Sequence, residues 1–200
     1  MVTGMELRTD VDEILPGVVA DRRYLHEHPE LSFQEYETAK FVAKRLESLG
    51  VEDLRTGIAG TGITALIRGG AGEGKVALVR ADMDALPILE ENAVEYKSRH
   101  DGVMHACGHD AHTAMLLGVA RLLTDRRDQI KGTVKLLFQP AEEMPPGGAI
   151  GMIEEGVLED PHVDAVFGLH VAADIPAGQI GVRAGNASAA SDRFTITIQG

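Results

Sequence analysis

The sequence predicts an α/β domain with a largely parallel, buried central sheet. Two observations indicate this fold class. Segments with apolar residues at helical spacing alternate with short apolar segments of strand length. The strand segments are almost uniformly apolar, which is typical of parallel strands covered by helices on both faces. The apolar fraction of 44% is ample for a core, and aromatic residues at 4% make that core aliphatic.

Two helices are predicted at the start of the chain. The segment VDEILPGVVADRRYLHEHPE has apolar residues at helical spacing and stops at Pro29. The next segment, SFQEYETAKFVAKRLESLG, has a more regular apolar face. Ser32 and Glu35 match the capping-box pattern at its start, and Gly50 is placed to end it.

Strands and helices then alternate. GITALIRG and KVALVRAD are predicted strands separated by the turn-rich GGAGEG, and DAHTAMLLGVARLLTD is a predicted helix that begins near Asp110. GTVKLLFQP is a strand that must end at Pro140, because proline cannot donate to a ladder. GGAIGMIEEGVLED is a short helix, and VDAVFGLHV is another strand.

The last segment has a different pattern. QIGVRAG resembles a short strand, and DRFTITIQG alternates apolar and polar residues as a half-exposed strand does. Few partner strands remain for it in the sequence. We therefore expect residues 1–184 to form one domain, and residues 185–200 to begin a second domain that is missing.

Composition narrows the class of protein. The formal net charge is -12, which argues against nucleic-acid partners and anionic membrane surfaces. The single cysteine excludes an intramolecular disulfide, and the N-terminus has no apolar leader segment. The longest apolar stretch, AMLLGVARLL, is far shorter than the roughly 20 residues of a membrane span. We expect a cytoplasmic protein.

Chemically reactive side chains follow several of the predicted strands. Ligands in open α/β sheets bind outside the carboxyl ends of the strands, so these side chains are expected at one edge of the sheet. They are Asp82 and Asp84 after KVALVR, Glu142 and Glu143 after VKLLFQP, His170 after DAVFGL, and Cys107 and His109 before the helix at Asp110.

Thiolate, imidazole and carboxylate groups are ligands that suit zinc and its neighbours. A structural zinc site would use paired cysteines, so an open site for hydrolysis is the better interpretation. Because Glu142 and Glu143 are adjacent, their side chains diverge: one can bind metal while the other acts as general base. Other interpretations stay open: Cys107 as inert packing or a redox-active thiol, Asp82 or Asp84 as turn residues, and His170 as a core histidine.

Other polar residues near these motifs have less specific signals. His105 and His112 flank the candidate site and are expected to support ligands rather than bind metal. Asp110 is a candidate N-cap, and it could also brace His109. The remaining histidines lie in polar contexts typical of the surface; they are His26, His28, His100 and His162.

Several motifs, in order, resemble one metallohydrolase family. RRYLHEHPELSFQEYETA, RADMDALPI, HACGHDAHTAMLLG, LLFQPAEE and FGLHV closely resemble the amidohydrolase branch of the aminoacylase/carboxypeptidase family. That branch includes hippurate hydrolases, N-acyl-amino-acid amidohydrolases and indole-acetyl-amino-acid hydrolases. The resemblance covers essentially the whole chain and implies a three-layer, zinc-exopeptidase-like catalytic domain.

The resemblance implies two divalent metal ions, zinc or manganese, and a role for each matching residue. Cys107, His109, Glu143 and His170 are the implied metal ligands. Glu142 is the implied general base, and Asp84 the residue that orients a ligand. Asp82 stands where other branches place a ligand histidine, so its role stays open.

The same resemblance implies cleavage of N-acyl amino acids to a carboxylic acid and a free amino acid. An aminopeptidase or carboxypeptidase of the same fold and a non-catalytic metal-binding protein are the alternatives. Relatives insert a ferredoxin-like lid and dimerisation domain after the GVR segment, so a homodimer or homo-oligomer is implied at full length. Relatives have a glycine-rich turn after PAEE, where this chain has MPPGG. In relatives, the part of the chain that follows supplies one more histidine ligand for the metals and a histidine that helps to hold the oxyanion. Without these two histidines, we expect this chain to be weakly active or inactive.

Overall fold

The computed structural model describes residues 4–187 and 194–200. The predicted order of helices and strands is confirmed as far as the strand in VDAVFGLHV, with one further strand near the start of the sheet. The helices are α1 (Gly4–Glu27), α2 (Tyr36–Leu49), α3 (His109–Asp125) and α4 (Gly148–Glu154), and a short 3-10 turn spans Arg127–Gln129. The strands are β1 (Glu52–Ile58), β2 (Gly62–Arg68), β3 (Val76–Asp82), β4 (Thr133–Gln139) and β5 (Ala165–Gly168).

The five strands form one mixed sheet in the order β1-β2-β4-β3-β5. Strand β3 lies between β4 and β5 and is parallel to both, whereas β2 is antiparallel to β1 and β4. Only β2 therefore runs against the other four, and the predicted α/β class is confirmed. The helix α3 connects β3 to β4, as parallel neighbours require a crossover.

The helices cover the sheet on both faces and give three layers. Helices α2 and α3 pack on one face, and α1 packs against α3. The main core lies there and includes Leu46, Ile63, Leu116 and Phe138. Successive strand residues point to opposite faces, so Leu137 instead joins Leu78 and Met152 of α4 in a smaller cluster on the other face. Among the described residues, no helix combines the length and apolarity that crossing a membrane requires.

The predicted capping box at the start of α2 is not formed, whereas the helix ends at Gly50 as predicted. Glu35 is the N-cap residue but makes no side-chain cap bond. Ser32 Oγ donates to Asp84 instead, and the Glu35 carboxylate accepts from Thr61 Oγ1. Both side chains are thus used in long-range contacts. Gly50 ends the helix in the left-handed conformation (φ 67°), as predicted.

The C-terminal part of the described chain has little regular structure after β5. The predicted strand QIGVRAG is not formed, and residues 194–200 of DRFTITIQG are not in a strand either; residues 188–193 lie outside the described part. Phe194, Ile196 and Ile198 are exposed. A strand is stabilised by pairing, and within the described residues neither 179–185 nor 194–200 has a partner strand.

Candidate metal centre

The parallel strands end together and bring their following loops to one edge of the sheet. Asp82 of β3 pairs in register with Gln139 of β4, and Arg80 pairs with Gly168 of β5. The loops after these strands contain the predicted acids and the histidine, and the loop before α3 lies among them. The structure brings together Asp82, Asp84, Cys107, His109, Glu142, Glu143 and His170, as the strand pattern predicts.

His109 is the buried centre of this cluster. It is the first residue of α3, and Nδ1 lies 2.9 Å from the carbonyl oxygen of Asp84 and 3.1 Å from its Oδ1. Both oxygens are acceptors, so Nδ1 must carry the proton and donate. Among the described residues, Nε2 has no hydrogen-bond partner; Asp82 Oδ2 lies 3.6 Å and Glu143 Oε1 3.9 Å from it. A buried nitrogen without a partner is costly, and a bound cation would satisfy it.

Asp84 connects three parts of the site. Besides His109, its carboxylate accepts from Ser32 Oγ at 2.6 Å and from the backbone N–H of Glu143 at 3.0 Å. Burial alone would raise the pKa of Asp84, but these hydrogen bonds outweigh it and lower the pKa to about 2. Asp84 therefore stays ionised and fixes the ring of His109.

The depressed pKa of Asp84 predicts a specific acid sensitivity of folding. Its folded pKa of about 2 lies below the ordinary 3.8, so its stabilisation is complete above 3.8 and is lost as pH falls toward 2. For the metal-free protein, we expect the stability difference between wild type and Asp84→Asn to shrink by about 1 kcal/mol from about pH 6 to about pH 3. Urea unfolding of both proteins at each pH measures it. A pH-independent difference would contradict the assigned hydrogen bonds.

Cys107 and His170 approach each other from different loops. Cys107 Sγ lies 3.4 Å from His170 Nε2. Burial and then the neighbouring Glu143 raise the pKa of the Cys107 thiol to about 12, so the thiol is neutral without a cation. A reactive redox thiol requires the opposite, a lowered pKa. A divalent cation bound here would remove the thiol proton outright.

Glu142 and Glu143 lie on a tightly held turn after β4. Ala141 has a positive φ of 47°, and its N–H donates to the buried Glu35 carboxylate at 2.8 Å. The N–H of Glu143 is held by Asp84. The side chain of Glu143 is half-buried and turned toward His109, whereas Glu142 is exposed. The adjacent acids thus have different environments, as their sequence predicts.

The residues present fit divalent metal ions. Within the described ranges, three groups place their ligand atoms within 4.8 Å of one another: Cys107 with His109 and His170, His109 with Glu142 and Glu143, and Asp82 with His109 and His112. His109 belongs to all three. The unpartnered His109 Nε2 and the mix of thiol, imidazole and carboxylate donors suit a divalent metal.

Two buried networks near the site differ from the sequence-based expectations. Asp110 lies inside α3, whose N-cap is Gly108, and its carboxylate faces His26 Nδ1 at 2.7 Å rather than bracing His109. His26 is buried, not at the surface, and its Nε2 faces Glu90. The polar HEHPE context gave no local signal of this burial. Glu35 was also missed as a site residue, since its pattern indicated a helix cap.

The fold and the donor set define an α/β protein with a metal-capable cluster at the carboxyl edge of its sheet. Residues 78–199 match the family described as Peptidase family M20/M25/M40. The chain belongs to this family, and the resemblance noted from its motifs is confirmed.

Relatives from several organisms support this assignment. The chain is 49% identical to an N-acyl-L-amino acid amidohydrolase of Geobacillus stearothermophilus, over 100% of this chain and 53% of the relative. It is 50% identical to an N-acetylcysteine deacetylase of Bacillus subtilis, over 90% of this chain and 46% of the relative. Thermostable carboxypeptidase 2 of Saccharolobus solfataricus is 48% identical, over 98% of this chain and 49% of the relative. The chain spans about half the length of the curated relatives it matches.

A solved structure has the same fold. The Bacillus subtilis YXEP protein, described as a dinuclear metal binding peptidase from the M20 family, superposes with a TM-score of 0.80 and 47% sequence identity. The superposition covers 86% of this chain and 47% of that one. The zinc-exopeptidase-like architecture expected from the motifs is thus confirmed.

Proposed function

We propose that this chain is part of a metal-dependent amidohydrolase that cleaves N-acyl amino acids to a carboxylic acid and a free amino acid. The observation that supports this most is the exposed Glu142 carboxylate beside a metal-capable group. One of its oxygens lies within 4.8 Å of a ligand atom of His109 and of Glu143. A site that only stores metal has no need of an exposed second acid there.

The proposed ligands are Cys107, His109, Glu143 and His170, for two divalent ions. Asp84 holds the proton on Nδ1 of His109 and so presents Nε2 to the metal. When bound, divalent metals supply Lewis acidity, which polarises a carbonyl and acidifies water. We assign zinc or manganese from the donor types.

Glu142 is the proposed proton carrier. Its carboxylate accepts a proton from the attacking water, whose oxygen bonds to the acyl carbon. The carboxyl group then gives that proton to the nitrogen as the C–N bond breaks, which leaves an amine and a carboxylic acid. Asp84 stays ionised throughout because its pKa is about 2.

The organisation of the whole protein is part of the proposal. We assign residues 1–184 to the catalytic domain and residue 185 onward to the start of a lid and dimerisation domain. We also propose a homodimer or homo-oligomer for the full-length protein. Exposed Val166 and Phe167 on β5 are consistent with further structure packing on this side.

Amino-acid release from a substrate panel tests the proposed activity. N-acetyl, N-benzoyl and indole-acetyl amino acids are compared with unblocked dipeptides, on the 200-residue chain and on any longer product of the same gene. We expect the longer product to hydrolyse the N-acyl substrates, with activity lost after chelation and restored by zinc or manganese. The 200-residue chain should be weakly active or inactive.

A carboxypeptidase is the second candidate, because one relative at 48% identity has that name. The same panel separates the two functions. A carboxypeptidase acts on peptide bonds, so a preference for the dipeptides over the N-acyl amino acids would replace the proposed substrate class. Hydrolysis that survives chelation would contradict metal dependence itself.

A further inference from the structure

The loop that carries His170 has little support of its own. All four residues of β5 are exposed, as are His170 and Val171 after it. His170 Nδ1 donates to the carbonyl of the adjacent Val171 at 2.6 Å, so its proton is on Nδ1 and Nε2 faces Cys107. This bond fixes the ring within the loop, but it cannot fix the loop against the rest of the site.

Two contacts of Val171 hold the loop in place. Its backbone N–H donates to His112 Nε2 at 2.9 Å. Its side chain packs on Gly108, where a Cβ would lie only 2.4 Å from Val171 Cγ2. Gly108 is the residue between Cys107 and His109. The loop of one candidate ligand therefore rests on the segment that carries two others.

The hydrogen bonds of His112 fix its tautomer. Nε2 accepts from a backbone N–H and must be unprotonated, so the proton lies on Nδ1, which donates to Asp82 Oδ1 at 2.6 Å. Asp82 is buried, its other oxygen lies 2.9 Å from Arg80, and its carbonyl accepts from Thr113 Oγ1. Both ring nitrogens of His112 are thus occupied, and neither is free for a metal.

We propose that His112 is the positioning residue for His170, with Asp82 as the group that fixes the tautomer of His112. The series Asp82, His112 and Val171 connects the end of β3, the first turn of α3 and the loop after β5. It gives Asp82 a role that requires no metal bond. This inference rests on the proposed function, because it treats His170 as a metal ligand.

Two substitutions of His112 separate its two hydrogen bonds. In His112→Gln the amide oxygen lies near the position of Nε2 and can still accept from Val171. In His112→Asn the amide nitrogen lies near the position of Nδ1 and can donate to Asp82, but nothing reaches Val171. Both variants replace the imidazole with an amide, so any effect of losing the imidazole ring itself is expected in both.

Amide exchange and zinc affinity are the two measurements, made on the 200-residue chain. In the metal-free protein, NMR should show Val171 N–H exchanging at least about tenfold more slowly than its exposed neighbours. This protection should remain in His112→Gln and disappear in His112→Asn. Zinc affinity, from competition with a chelator, should fall about 10- to 100-fold in His112→Asn and stay within about threefold in His112→Gln.

The outcomes separate this inference from the proposed function. Fast exchange of Val171 in wild type, or unchanged exchange and affinity in His112→Asn, would overturn the positioning role. A wild-type chain that binds no zinc counts against the ligand assignment, while exchange of Val171 still decides the role of His112. If His112→Asn does not fold, an amide-to-ester replacement at Val171 removes the same donor and takes its place.

Discussion

Glu142→Gln is expected to lower turnover by about 10²- to 10⁴-fold while leaving the metal content unchanged. Glutamine has the same shape as glutamate but cannot accept the proton of the attacking water. The Glu142 side chain is exposed, and its removal breaks none of the hydrogen bonds that hold Asp84 or His109. Initial rates on the best N-acyl substrate, measured with a longer product of the same gene that is active, and elemental analysis of the same samples give both quantities.

Glu143→Gln is the matched control for this prediction. The two residues are adjacent on the same turn, but Glu143 is half-buried and lies 3.9 Å from His109 Nε2. We expect Glu143→Gln to lose metal as well as turnover. Equal losses of metal in both variants would show that Glu142 is a ligand, and full activity in Glu142→Gln would remove it from the mechanism.

The fold was predictable because its signals are local. Strand β4 is a mainly apolar segment, interrupted by Lys135, between Gly132 and Pro140, and α2 ends at a glycine in the left-handed conformation. Such patterns depend on neighbours a few residues away. The largely parallel sheet also followed, because a helix between two strands, such as α3 between β3 and β4, is typical of parallel neighbours.

The misassigned residues have partners that are distant in sequence. Ser32 and Glu35 have the spacing of a capping box, yet they bond to Asp84, Thr61 and Ala141, which only the folded chain brings near. His26 lies in a polar segment but is buried against Asp110, 84 positions away. A buried polar residue that hydrogen-bonds to a distant residue can have the same local sequence as an exposed one that hydrogen-bonds to water. Local sequence therefore does not distinguish the two.

The candidate site was predictable for a different reason. Parallel strands whose register aligns Asp82 with Gln139 must bring their following loops to one edge, whatever the details of those loops. Sequence could therefore indicate that Asp84, Glu143 and His170 come together. It could not indicate how His170 is held, because that depends on a backbone N–H and the tautomer of His112.

Cys107→Ser is expected to lower zinc affinity by more than about 100-fold. This exceeds the roughly 10- to 100-fold loss that follows when a residue that hydrogen-bonds to a metal ligand is removed. The thiol has a pKa of about 12 without metal, so metal binding must displace its proton. A serine hydroxyl ionises even less readily and is a poor ligand. Chelator competition on the 200-residue chain, over a range of pH, measures the change.

The pH dependence of zinc binding gives a sharper test than affinity alone. Below the thiol pKa of about 12, each rise of one pH unit makes the thiolate tenfold more available. Wild type should therefore release one more proton on binding than Cys107→Ser, and the slopes of log Kd against pH should differ by one. Equal slopes and affinities would mean that Cys107 is not a ligand. Rapid modification of the metal-free thiol near neutral pH would favour a redox role, because it requires a pKa far below 12.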